Sequence, residues 1–280
     1  MIRCLIVGQQ EDIDRYLPIV SGISYFSKVN SLLLTDSVPD NYRQVLVAND
    51  ALMLISAVSD VDWLILPIKL QCKVLLCDQP HLSLTDLSKL FQLHTESRNI
   101  MYLQINELHH PLIEDFIETT GHHLLFRYTR SINSKKDVRS ALVNALSLLT
   151  LMSPLQVKKI DISSISPDKK GRPAYKIRLK MYDSSLAYIV LKLNAQSEHS
   201  IIIESKNGNF TFNFTQNYIE NIHGTRFEGE KTNDSQLISK AINSFALCII
   251  MNEHPRFTFF HYSLVFQLLN KFENILLQSI

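Results

Sequence analysis

The chain opens Ile2-Arg3-Cys4-Leu5-Ile6-Val7-Gly8-Gln9-Gln10-Glu11-Asp12-Ile13, a short apolar run that turns at one glycine and enters an acidic stretch. A continuous apolar run of this length suits a strand buried on both faces of a parallel sheet. A loop that cradles a dinucleotide usually has three glycines here: one for the tight turn, one for close approach of the pyrophosphate, one for helix–strand packing. Gln10 and Ile13 fill the second and third of those places. Glu11 and Asp12 put negative charge in the first turn of the following helix. That is favourable for the helix dipole and unfavourable for an incoming phosphate.

Moving outward, apolar runs at Ser31–Thr35, Ala51–Val58 and Lys73–Cys77 alternate with helical stretches. After Pro80 the leucines of Leu84–Leu93 recur at helical spacing behind a Ser83 or Thr85 cap. Residues 60–71 contain a strand-like Trp63-Leu64-Ile65-Leu66, but a parallel crossover to Lys73 needs about a dozen residues, so this segment is expected to be a poorly formed helix or irregular crossover. The alternation predicts a Rossmann-like, doubly wound parallel sheet over residues 1–106. Beyond it the texture changes. Tyr175–Lys180, Ala187–Leu193, His199–Glu204 and Phe210–Phe214 have strand length and polar turns between them, with hairpin chemistry at Lys206-Asn207-Gly208-Asn209. Helices are expected from about Ser235 to Met251 and from Tyr262 to Leu277. Residues 107–280 therefore read as an α+β domain with a large, mostly antiparallel sheet.

Composition narrows the function. The 280 residues are 46% hydrophobic, enough for a substantial core, with 28 Lys and Arg against 27 Asp and Glu. That balance provides no basic footprint for nucleic acid or an anionic membrane surface. No apolar run approaches a membrane span and the first strand is too short for a signal peptide, so a cytoplasmic protein is expected. Seven glycines in the whole chain leave little material for phosphate-binding loops. Cys4, Cys72, Cys77 and Cys248 are scattered, mostly in apolar runs, and read as reduced and structural. The pairs His109-His110 and His122-His123 point apart on any regular element, so they read as surface or hydrogen-bonding histidines, and no metal site is expected.

Asp50 to Val58, followed by Cys72-Lys73-Val74-Leu75-Leu76-Cys77-Asp78-Gln79-Pro80, resembles the Gfo/Idh/MocA oxidoreductases, named for glucose-fructose oxidoreductase and inositol dehydrogenase. In that family the strand reads Gly-Lys-His-Val-Leu-x-Glu-Lys-Pro and leads into a helix. Asn106-Glu107-Leu108-His109-His110-Pro111 stands where the family has Asn-Arg-Arg-Phe-x-Pro. Asp137-Val138-Arg139-Ser140-Ala141-Leu142-Val143-Asn144 resembles its Asp-x-Gly-x-His-x-x-Asp helix, and Glu204–Phe214 its Gly-Thr-x-Gly hairpin. The order of elements matches along nearly the whole chain.

The departures fall where the resemblance implies chemistry. The family lysine beside nicotinamide and substrate is Gln79, which carries no charge or transferable proton. The catalytic histidine falls at Ala141 and its acidic partner at Asn144, so no catalytic residue is carried over. The stretch between the strand near Phe126 and that helix is also shorter than in the family. Gly8, Gln9, Gln10, Asp36 and Gln79 remain as candidate cofactor contacts. Asp36 stands at about the distance where an acid bonds the ribose of NAD, and equally suits a turn or cap before Ser37-Val38-Pro39. The expectation is a non-catalytic binding, regulatory or assembly protein without cofactor. The alternative is an NAD(P)-dependent oxidoreductase with a rebuilt site, in which Gln79, Asn106 or His110 orients a sugar-like or small hydroxy/oxo substrate. In the family the open face of the second sheet commonly mates with another subunit. Tyr188–Leu191 and Ile201–Ile203 supply apolar alternation for such a homodimer; any other protein partner is unidentified.

Overall fold

The computed structural model describes residues 1–78, 80–97, 99–110, 113, 124–134, 137–152, 156–163, 174–193, 197–206, 208–221, 223–229, 233–255 and 257–278. They fall into two compact units, one of residues 1–106 and 233–263, the other of 107–232 and 264–280.

The first unit is built on a parallel sheet of β1 (Ile2–Gly8), β2 (Phe26–Leu33), β3 (Ala51–Leu54), β4 (Lys73–Leu76) and β5 (Met101–Leu103) in the order β2-β1-β3-β4-β5. The reversal of winding at β1 is the doubly wound arrangement the sequence predicts. The helices between strands are α1 (Gln10–Ser21), α2 (Tyr42–Val47), α3 (Asp62–Lys69) and α4 (Leu84–Ser97). Cys4 to Val7 and all of β3 are buried, as their unbroken apolar runs require. β2 differs from expectation: it begins at Phe26, pairs with β1 from Ile2↔Phe26 onward, and ends at Leu33. As an edge strand it keeps Ser27, Lys28 and Ser31 exposed, so an apolar run marks only its end.

Residues 62–69 are a two-turn helix despite Pro67. Proline removes the N–H that would bond the carbonyl four residues back. That carbonyl, on Trp63, instead accepts from the Tyr42 hydroxyl at 3.0 Å, and the two rings meet edge-on at 4.7 Å. Ser83 caps α4, its Oγ accepting from the Asp86 N–H at 3.1 Å.

Helix α6 (Asp234–Met251) also belongs to the first unit. Its N-terminus is a full capping box between Asn233 and Gln236, and Asn252 closes it in the left-handed conformation. Ile238, Ile242, Phe245 and Ala246 join the same core as Cys4, Ile6, Met53 and Tyr102. A division of the chain at residue 106 alone would leave this helix in the second part; its apolar stripe places it in the first.

The second unit contains β6 (Leu125–Ile132), α5 (Asp137–Met152), β7 (Val157–Ser163), β8 (Ala174–Met181), β9 (Leu186–Leu193), β10 (His199–Ser205), β11 (Gly208–Asn213), β12 (Tyr218–Asn221) and β13 (Arg226–Glu228). The sheet order is β13-β12-β11-β10-β6-β9-β8-β7. The β6–β9 pair is parallel and its neighbours are antiparallel. β10 and β11 form the expected hairpin. The buried side of α5 packs against β6 and β9. Helix α7 (Phe259–Gln278) starts in the first unit and continues into the second. Among the described residues no helix is long and apolar enough to cross a membrane.

Candidate functional site

In doubly wound sheets ligands bind beyond the carboxyl ends of the strands, where the winding reverses. Gly8 closes β1 there, and its carbonyl accepts from Leu34 N–H at 2.9 Å. A Cβ on Gly8 would run into Ile55 Cγ1 and stand 2.8 Å from Ser56 Oγ, so glycine is required by close packing. The Gln9 N–H donates to Ser56 Oγ at 2.8 Å, and the Ser56 hydroxyl donates onward to Asp12 Oδ2. The Gln10 side chain donates to Asp14 Oδ1 at 2.7 Å. Asp36 is exposed, three residues past the end of β2. Gln79 lies outside the described residues.

The charge around these strand ends has one sign. Glu11 and Asp12 follow β1, Asp36 follows β2, Asp60 follows β3 and Asp78 follows β4. Between each of those strands and the next helix the sequence contains no lysine or arginine. A pyrophosphate here would meet carboxylates, and the Gln9 N–H at the turn is already donated within the protein. The residues of the first turn do not fit the phosphates of a dinucleotide.

The second unit holds a buried polar network that the sequence did not reveal. A 3₁₀ turn over Asn106–His109 presents Glu107, 6% exposed. Glu107 Oε1 accepts from Arg130 Nη1 at 2.7 Å and from Asn144 Nδ2 at 2.8 Å, while Oε2 is buried without a partner. Arg130 Nη1 also donates to the Tyr128 hydroxyl at 3.3 Å. Period-two alternation sets Phe126, Tyr128, Arg130 and Ile132 on one face of β6, and β10 aligns His199 directly beside Arg130. The His199 ring lies against Tyr128 and Phe214, at centroid distances of 5.5 and 4.5 Å.

His199 Nε2 stands 3.8 Å from Glu107 Oε1, yet burial, reinforced by Arg130 and His110, lowers its pKa to about 3. The imidazole is neutral at ordinary pH. Burial pushes the Tyr128 hydroxyl upward for the same reason. His109 and His110 are both buried, against the surface reading of that pair, and His110 meets Phe214 edge-on at 4.9 Å. His122 and His123 lie outside the described residues. No group of three potential metal ligands occurs among the described residues.

Ala141 lines a polar cavity of about 260 Å³ with Arg130, Asn133, Asp137 and Ser140. Asp137 is engaged in its own helix start, accepting from Ser134 N–H and Oγ at 2.9 and 3.1 Å. One turn along α5 from Ala141, Asn144 bonds Glu107. Two departures from the family pattern that look independent in sequence are thus partners in space: glutamate where the resemblance puts arginine, asparagine where it puts an acid.

The fold of the whole chain matches solved structures closely. The UDP-N-acetylglucosamine 3-dehydrogenase of Acidithiobacillus ferrooxidans superposes with a TM-score of 0.80 at 9% identity, covering 96% of each chain. A dehydrogenase from Clostridium difficile gives 0.76 at 13% identity, covering 98% of this chain and 99% of its own. The chain has the fold of these dehydrogenases. A biliverdin reductase from Synechocystis, solved with biliverdin and NADP+, shares the fold with a TM-score of 0.68 at 14% identity, over 95% of this chain and 96% of that one. No protein-family model matches the chain and no curated protein matches it in sequence. At such identities the likeness is one of fold, and function must be argued from the site.

Proposed function

We propose that this chain is a degenerate member of the Gfo/Idh/MocA family acting as a non-catalytic binding, regulatory or assembly protein without a dinucleotide cofactor. The observation that carries the reading is the state of α5. Where the resemblance expects a histidine there is Ala141 at the wall of a cavity, and the next polar residue on that face, Asn144, is bonded to buried Glu107. The neighbouring acid, Asp137, caps its own helix. None of these is a proton donor poised for hydride chemistry. The four unpaired cysteines accord with a reducing, cytoplasmic setting.

The test is a thermal melt with millimolar NAD(H) and NADP(H). A ligand at hundredfold excess over its dissociation constant adds about 2.7 kcal/mol, which is several degrees for a chain of this size. The expected result is no shift. A rise of several degrees would support the second reading, an NAD(P)-dependent oxidoreductase with a rebuilt site on a sugar-like or small hydroxy/oxo substrate. The observation that favours that second reading is Glu107 Oε2, a buried acceptor without a partner among the described residues, since an unsatisfied buried polar atom is a common mark of a working site. In it Gly8, Gln9, Gln10, Asp36 and Gln79 would contact the cofactor.

We further propose a homodimer through the outer face of the second sheet. Arg178, Tyr188, Arg127, Ile202, Thr211 and Glu220 form one row across it, basic at the β8 end and acidic at the β12 end. Lys176 and Lys180 flank Arg178 on the exposed side of β8. A two-fold axis lying between two such faces and parallel to their strands would bring each basic end over the other's acidic end, with Tyr188 and Ile202 between them. Light scattering at micromolar concentration should give twice the 32.2 kDa chain mass; a monomer there rejects this interface.

A further inference from the structure

We infer that Asp12 is the residue that closes the first turn to a dinucleotide, its carboxylate standing in from within for the pyrophosphate. This rests on the non-catalytic reading above and names the side chain responsible. The N-terminus of α1 offers backbone donors and a partial positive charge, which in this fold ordinarily receive phosphate. Here Gln9 N–H donates to Ser56 Oγ at 2.8 Å, and Ser56 passes its own proton to Asp12 Oδ2.

The arrangement is a capping box with a hydroxyl inserted. In the usual box a glutamate or glutamine at the third helical position reaches the cap N–H directly. Asp12 occupies that third position, one methylene shorter, and Ser56 from the end of β3 spans the gap. Ser56 is 7% exposed, so the hydroxyl at the middle of the relay is buried, while Asp12 is half-buried and Gln9 exposed. A phosphate arriving at the turn would have to displace the Ser56 hydroxyl that Asp12 holds on the Gln9 N–H, and then sit beside Asp12 and Glu11 with no lysine or arginine in the adjoining turns. The same bonds that stabilise the helix start therefore set the ligand preference of the turn.

The probe is ADP-ribose, which has the adenosine and pyrophosphate of a dinucleotide without its redox chemistry. Wild type and Asp12→Glu, which restores a direct box, should show melting temperatures that millimolar ADP-ribose leaves unchanged. Asp12→Ala should melt lower alone and rise by about 2 °C or more with the probe. If Asp12→Ala does not fold, Asp12→Asn, which keeps the acceptor for Ser56 and removes the charge, is expected to gain the same response. No response in a folded neutral variant overturns the role of Asp12 and leaves the non-catalytic reading in place. An equal response in Asp12→Glu overturns it as well. A response in wild type overturns both.

Discussion

Glu107→Ala is expected to lower the melting temperature by roughly 5 °C, reflecting a loss of about 3 kcal/mol in a chain of this length. The carboxylate is 6% exposed and bonds both Arg130 and Asn144. Removing it takes the acceptor from a half-buried amide and the counter-charge from a guanidinium. Arg130 keeps 32% of its side chain exposed, which lets water recover part of the loss and sets the figure at the low end for a buried pair. Glu107→Gln keeps an acceptor in place and should lose about half as much, since only the charge disappears. A calorimetric melt of the alanine variant within two degrees of wild type, taken as roughly the smallest meaningful shift, would mean that the network contributes little.

The second large effect is at acid pH. His199 is held neutral by burial, Arg130 and His110, with a folded pKa of about 3. In the unfolded chain an imidazole takes up a proton near pH 6.5. The folded pKa is depressed, so the stability from the neutral ring is complete above about pH 6.5 and declines as pH falls toward the folded value. The expected loss is about 1.4 kcal/mol per pH unit across that window. His199→Phe keeps a ring between Tyr128 and Phe214 and removes the titrating group. Melts of the two proteins from pH 7 to pH 4 should show wild type losing stability relative to the variant. Parallel curves would place the ring in contact with solvent and refute the assignment.

What could be read in advance followed from local physics. The unbroken run Cys4–Val7 can only be buried on both faces, and the few residues between a strand at 63–66 and Lys73 leave no room for a parallel crossover, which points to a poorly formed helix or irregular crossover where a two-turn helix stands. The strands 174–181 and 186–193 alternate apolar and polar residues, which declares a sheet with one covered face. The edge strands β2 and β13, and β12 beside the latter, are short or polar and give no such pattern. The network around Glu107 was illegible for another reason. Its members come from a 3₁₀ turn, β6, α5 and β10, and only the pairing of His199 with Arg130 brings the last of these close. Asn144 reads as a lost acid because the resemblance puts an acid there and nothing in the sequence ties it to Glu107, 37 residues earlier. Ser56 was likewise silent, since a serine after a strand has no distinguishing context until the helix start lies beside it.

The return of residues 233–263 to the first unit has a consequence for how the chain is made. The five parallel strands are all synthesised by residue 103, but the helix carrying Ile238, Ile242 and Phe245 emerges only after roughly 130 more residues. At translation speeds of about 5–20 residues per second, one apolar face of the nascent sheet waits roughly 6–26 seconds for its cover. During that interval the part of that face which α6 covers stays open to water, and a protein truncated before residue 233 would remain in that condition.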